Sequence, residues 1–173
     1  MADQRQRIID SVFSRRNAAG NLEETYMGHV KIWEDAENGG RKPRYILLSQ
    51  ASNGAGFIHK SKLNTNGTFS VGKTWRLVEL RGIQVVGPQT FNISLARTYR
   101  WQTENQWDQD TFLKTLIQLF YTVTGGPENS RNFLLNWRGT EIKVLFQKQK
   151  VTLSQHKPNG FPSKREVLSP GRD

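Results

Sequence analysis

The sequence predicts a mainly β domain with an extra N-terminal helix: a small, partly open barrel of seven strands capped by one C-terminal helix. Three observations carry this. Between His29 and Thr103 the chain holds seven short strand-like runs, separated by turn residues about every ten positions. After Asp108 the apolar period changes from two to that of a helix. And 173 residues suffice for one domain with trimmings and a real core.

The elements follow in chain order. Asp3 to Arg16 reads as a helix, with Ile8, Ile9, Val12 and Phe13 on one face and Asn17 to Gly20 ending it. His29–Trp33 alternates as a strand, and Arg44–Ser49 is an apolar run fit for a buried one. Between them lies EDAENGGRKP, a loop rich in turn residues. Gly56–Lys62 alternates again, after the turn at Asn53-Gly54 and before LNTNG. Trp75–Leu80, Ile83–Val86, Phe91–Leu95 and Tyr99–Thr103 complete the series, with a Gly87-Pro88 turn and with Phe91, Ile93 and Leu95 sharing a face. Asp108–Val123 is an amphipathic helix. Phe112, Leu116 and Phe120 repeat at four, Asp108 or Asp110 serves as cap, and Gly125-Gly126-Pro127 is the stop. The expected organisation is a helix and linker over 1–27, the β domain over 28–126, and a basic tail over 127–173. Lys, Gln, Ser, Pro and Gly dominate that tail from Lys148 on, and it reads as partly disordered.

Charge gives the first functional direction. The formal net charge is +10, which calls for an anionic partner. Residues 28–66 carry six Lys or Arg against three acids, and residues 127–173 carry nine against four. Nucleic acid fits poorly, because the aromatics sit at core-facing spacings and are not interleaved with the basic residues. Catalysis fits worse. There is no cysteine, the three histidines (His29, His59 and His156) have no metal-ligand spacing, and no nucleophile elbow, phosphate loop or carboxylate pair stands out. No enzyme activity and no cofactor are expected. No run approaches the roughly 18 apolar residues of a membrane span, and the charged N-terminus lacks a signal-peptide pattern. The expectation is a soluble chain or one held at a membrane surface.

The basic residues around the first three strands are the candidate site. Lys31 lies in the first strand. Arg41 and Lys42 end the first loop. Lys42 and Arg44 stand two apart, so both leave one face of a strand, and Lys60 and Lys62 do the same in the third. Such a set reads in two ways: cations converging on a polyphosphate headgroup, or a solvated sheet edge whose lysines discourage pairing.

Seven strands and then one helix is the plan of pleckstrin-homology (PH) and phosphotyrosine-binding domains. Three segments sharpen the likeness: Gly72-Lys73-Thr74-Trp75-Arg76-Leu77, Tyr99-Arg100-Trp101-Gln102-Thr103-Glu104, and Tyr121-Thr122-Val123-Thr124-Gly125-Gly126. With Lys42-Pro43-Arg44, His59-Lys60 and Arg7-Ile8-Ile9-Asp10-Ser11, they resemble the N-terminal phosphoinositide-binding PH domain of the exocyst subunit Sec3, fungal type, over roughly residues 5–126. The resemblance implies a membrane-targeting module for exocytic vesicle tethering. It would bind phosphatidylinositol 4,5-bisphosphate, PI(4,5)P2, at the inner face of the plasma membrane. Implied protein partners are a Rho-type small GTPase and a plasma-membrane SNARE, with other exocyst subunits only where the chain is part of a longer protein. Lipid-contact roles carry over onto Lys31, Arg41, Lys42, Arg44, Lys60 and Lys62. The alternative is a protein-interaction module on the same fold, with only diffuse attraction to anionic lipid. In this topology the fourth strand is expected to start far from the first loop. Gly67–Trp75 therefore reads as a packed corner, with Lys73 a peripheral contact at most and with Trp75 and Trp101 in the core.

Overall fold

The computed structural model describes residues 3–125, 139, 141–147, 150–156 and 162–168. The chain divides into two units, Met1–Leu77 and Val78–Asp173.

The first unit begins with α1 (Gln4–Val12), whose first turn is capped by Asp3 accepting from the Gln6 amide at 2.8 Å. The helix ends earlier than its sequence suggests. Phe13 already leaves the helical conformation and instead packs its ring into the unit's interior. Four antiparallel strands follow in sequential order: β1 (Glu24–Asp35), β2 (Arg41–Ala51), β3 (Gly56–Leu63) and β4 (Phe69–Arg76). The first therefore starts inside the stretch expected to be linker. Strand β2 is buried on both faces from Tyr45 to Ser49. One face meets α1, where Tyr45, Leu47 and Phe69 pack with Ile8 and Phe13. The other presents Ile46 and Leu48 beside Val30, Ile32, Ile58 and Trp75, each at most 4 % exposed. The β3–β4 hairpin turns at Asn64–Gly67, where Gly67 takes φ 88°, a left-handed geometry that glycine adopts without Cβ strain.

The Phe69–Trp75 stretch is thus strand, not corner. The fourth strand runs from Phe69 to Arg76, and Leu77–Glu79 form a single 3-10 turn where Trp75–Leu80 reads as strand. The alternation around Leu77 misleads because Leu77 and Leu80, three apart, are the buried pair, a spacing that suits a 3-10 turn.

In the second unit β5 (Gly82–Val85), β6 (Thr90–Ser94) and β7 (Thr98–Thr103) form an antiparallel meander. Helix α2 (Gln106–Thr124) follows. Its N-cap is Asn105, which accepts from the Asp108 amide at 2.8 Å, and not Asp108 or Asp110. Gly125 closes it at φ 76°, as the sequence predicts. The buried stripe holds Phe112, Leu113, Leu116, Ile117 and Phe120, with Phe91 against Phe112 and Phe120 against Phe146. Phe146 belongs to β8 (Glu141–Gln147), which pairs with β5. Gly82 permits that approach, since a Cβ there would lie 3.2 Å from the Val144 carbonyl oxygen. Two further strands, β9 (Lys150–His156) and β10 (Pro162–Leu168), occupy part of the tail that composition reads as disordered. Phe133–Trp137, whose apolar residues suggest a short element in the sequence, lies outside the described residues. Seven antiparallel strands and then a helix, preceded by α1, make the fold mainly β and PH-like.

Two measurements check this packing. Ile8→Ala should cost roughly 2–5 kcal/mol if α1 is docked through a fully buried side chain, read as a lowered urea midpoint at unchanged slope. Burial pushes the Tyr121 phenol up to about 12. An unfolded tyrosine ionises near 10, so unfolding releases a proton between these values. Stability should then fall as pH rises from about 10 to about 12, and Tyr121→Phe should flatten that limb.

Candidate functional site

Residues opposite one another in an antiparallel pair share a face, as do alternate residues along a strand. The observed register therefore sorts the six candidate cations. Lys42 stands opposite Glu34, and Arg44 opposite Ile32. Lys60 stands opposite Ile46, and Lys62 follows two residues on. These four cations share the face that carries Ile46, Ile58 and Trp75. Lys31 pairs with Tyr45, and Arg41 with Asp35, so both leave the opposite face. There they flank the Trp33 ring, Lys31 Nζ at 4.8 Å and the Arg41 guanidinium carbon at 5.7 Å from its centre. The six do not converge on one point. Lys31 and Arg41 are odd-numbered on strands whose clustered cations are even-numbered.

The site gains a cation that sequence reasoning sets aside. Lys73 stands directly opposite Lys60. It reaches this position because the β3–β4 ladder skips Gly72: Lys60 pairs with Lys73, but Ser61 pairs with Val71. This β-bulge puts Ser70 opposite Lys62 and Lys73 opposite Lys60 on one face, although the two β4 residues are three apart. The Lys73 ammonium lies 5.3 Å from the Trp75 ring centre. The signal available in sequence was the pair Lys73 and Trp75, two apart, with one plainly a core residue. What misplaced Lys73 was the assumption that the strand begins after it.

Arg44, Lys60, Ser61, Lys62, Ser70, Val71 and Gly72 line a hollow of about 250 Å³ at the bulge. Three of these residues are cations and none is an acid. Arg44 is half-buried, with one guanidinium nitrogen donating to the Pro43 carbonyl at 2.7 Å. Lys62 and Lys73 are exposed. The Lys60 ammonium donates to both carboxylate oxygens of Glu34 at 3.1 Å, with side chains 19 % and 10 % exposed. A larger hollow of about 540 Å³ lies between α1 and the β3–β4 turn, but there Arg7 is balanced by Asp10. Of these two hollows, the one at the bulge concentrates one sign of charge.

His29 and His59 are structural. His59 bonds Glu24 through Nε2 at 2.9 Å and Thr74 through Nδ1 at 2.8 Å, while His29 bonds the Tyr26 hydroxyl. Among the described residues no three His, Cys, Asp or Glu side chains are placed to hold a metal ion, and no helix is long and apolar enough to cross a membrane.

This geometry, a cationic hollow on the inner strand face followed by a meander and a helix, coincides with a family match. Residues 39–122 match the model described as exocyst complex component SEC3 N-terminal PIP2 binding PH. The likeness to that family spans these residues. The matched PH segment contains Arg41, Lys42, Arg44, Lys60, Lys62 and Lys73, and it ends just short of the last turn of α2. Lys31 and Glu34 lie before it. The family is a lipid-binding module. No curated protein matches the chain.

The Lys60–Glu34 pair makes a stability prediction. Lys60→Met leaves a largely buried carboxylate without its ammonium, and should cost roughly 1–3 kcal/mol. Lys62→Met, at an exposed position, should stay within about 0.5 kcal/mol. Chemical denaturation of the two variants side by side compares them directly.

Proposed function

We propose that the chain is the membrane-targeting module of an exocytic tethering subunit, and that it binds the PI(4,5)P2 headgroup with Lys42, Arg44, Lys60, Lys62 and Lys73. The observation that supports this is that five cations from three adjacent strands share one face, three of them (Arg44, Lys60 and Lys62) lining a hollow in the segment that matches a PIP2-binding family. A phosphoinositide headgroup packs several phosphates into a small volume. Ammonium groups serve as point charges toward them, and the Arg44 fork can hold one phosphate through two parallel bonds. Each cation near an anionic surface contributes about 1 kcal/mol, so five give useful recruitment without any inserted segment.

Lys31 and Arg41 take a different part in this reading. On the outer face beside Trp33 they meet the anionic surface around the bound lipid, not the headgroup itself. A tryptophan flanked by cations suits the interfacial zone. The place of action is then the inner face of the plasma membrane. A Rho-type GTPase and a plasma-membrane SNARE are further partners, supported by the family resemblance. Their docking should not depend on the cationic hollow.

Co-sedimentation with vesicles tests the proposal. The wild type should prefer PI(4,5)P2 over phosphatidylserine at matched surface charge. Lys42→Ala/Arg44→Ala should abolish that preference, and Lys73→Ala alone should weaken PI(4,5)P2 binding about fivefold, the factor carried by one unit of charge. Equal binding to both lipids, insensitive to these changes, would put the protein-interaction reading first.

A further inference from the structure

A cluster of like charges resists its own assembly. Lys42, Arg44, Lys60, Lys62 and Lys73 share one face of a four-stranded sheet, and Lys60 and Lys73 stand directly opposite each other, an arrangement that by itself destabilises a strand pair. Within this cluster sits one carboxylate. Glu34 is 8 % exposed, lies directly across from Lys42, and accepts two bonds from Lys60.

The position of Lys60 makes this contact informative. In the register Lys60 belongs to the row of Val30 and Ile46, whereas Glu34 belongs to the row of Lys42, two rows nearer the β1–β2 loop. The Lys60 stem therefore leans along the sheet toward the β1–β2 loop, and the Glu34 carboxylate reaches back to meet its ammonium. Lysine stems cover apolar surface readily while the head seeks charge. The Glu34 carboxylate faces the Lys60 ammonium there with both oxygens.

We propose that Glu34 is a positioning residue for headgroup selectivity: its buried carboxylate draws the Lys60 ammonium along the sheet and screens it from the neighbouring cations, so that the cluster is assembled before a headgroup arrives. The inference rests on the headgroup reading above. Its chemistry predicts opposite effects on two ligands. Glu34→Gln adds one unit of net positive charge to the face and removes the anchor of Lys60. A diffuse anionic surface senses only the charge. A headgroup with phosphates at fixed separations senses the geometry. Pre-organised cations bind it without first paying for their own ordering.

The experiment compares wild type, Glu34→Gln, Glu34→Asp, Lys60→Gln and the double variant Glu34→Gln/Lys60→Gln. Each is measured on vesicles containing either phosphatidylserine or PI(4,5)P2 at matched surface charge, with thermal melting alongside. Expected for Glu34→Gln is tighter binding to phosphatidylserine vesicles, by up to about fivefold, with a reduced ratio of PI(4,5)P2 to phosphatidylserine affinity. Glu34→Asp keeps the charge and should hold the ratio closer to wild type. In the Lys60→Gln background Glu34→Gln should leave the ratio where Lys60→Gln put it. The inference is overturned if Glu34→Gln leaves the ratio unchanged, or if it lowers the ratio equally with and without Lys60. Should Glu34→Gln fail to fold, Lys60→Gln decides: an unaltered ratio of PI(4,5)P2 to phosphatidylserine affinity there shows that the anchored ammonium does not read the headgroup, and overturns the inference. A wild type with no preference for PI(4,5)P2 is a separate result. It defeats the headgroup reading itself.

Discussion

Strand β2 governs the molecule's chemistry through parity. From Tyr45 to Ser49 both of its faces are buried, one beneath α1 and one among Ile32, Ile58 and Trp75. A strand buried on both sides cannot slip by one residue, because a slip would exchange its two apolar faces. Everything upstream on β2 inherits that fixed parity. Lys42 and Arg44 must emerge on the inner face, and Arg41 on the outer. Through the paired registers the same decision extends to Glu34 and Lys31 on β1, and to Lys60 and Lys62 on β3. The cationic face is therefore a by-product of core packing, and its precision is that of the core.

This arrangement resolves a conflict between two readings of a basic hairpin. Lysines at a sheet margin usually serve solubility and discourage edge pairing. Here three strands and a bulge bring four lysines and Arg44 to one face, with a carboxylate buried among them, which edge protection does not require. The outer face shows the more ordinary use of such residues: Lys31 and Arg41 lie against Trp33, where stem and ring shield one another from water.

Much of this was legible in the sequence, and the failures are instructive. Six of the seven strands and α2 announce themselves because alternation and helical periodicity are strong where one face is buried, as at Phe91, Ile93 and Leu95 or at Phe112, Leu116 and Phe120; the fourth is misplaced because the bulge at Gly72 breaks its alternation. The Lys42 and Arg44 pair is legible for the same reason. Relative parity between strands is not, since it depends on pairing: Lys31 and Lys60 look equivalent along the chain and end on opposite faces. Asn105 was passed over as cap because Asp108 and Asp110 have the same cap chemistry, and only the backbone shows where the helix starts. The tail strands β9 and β10 were hidden by composition, whose polar bias says little about pairing with a neighbour such as β8. Glu34 was invisible as a site residue, because nothing in ETYMGHVKIWED says that its carboxylate faces inward.

The bulge at Gly72 has one more implication. Val71 and Lys73 already occupy successive steps of the ladder, with Gly72 left over between them. Losing that residue would leave every neighbour opposite its present partner, whereas losing one from β3 would turn half the hairpin inside out. Here strand length and strand register are uncoupled. An ancestral insertion or deletion at this point is silent to the core and to the charge pattern alike. It is a tolerance of the kind that loops have, lodged in the middle of a strand.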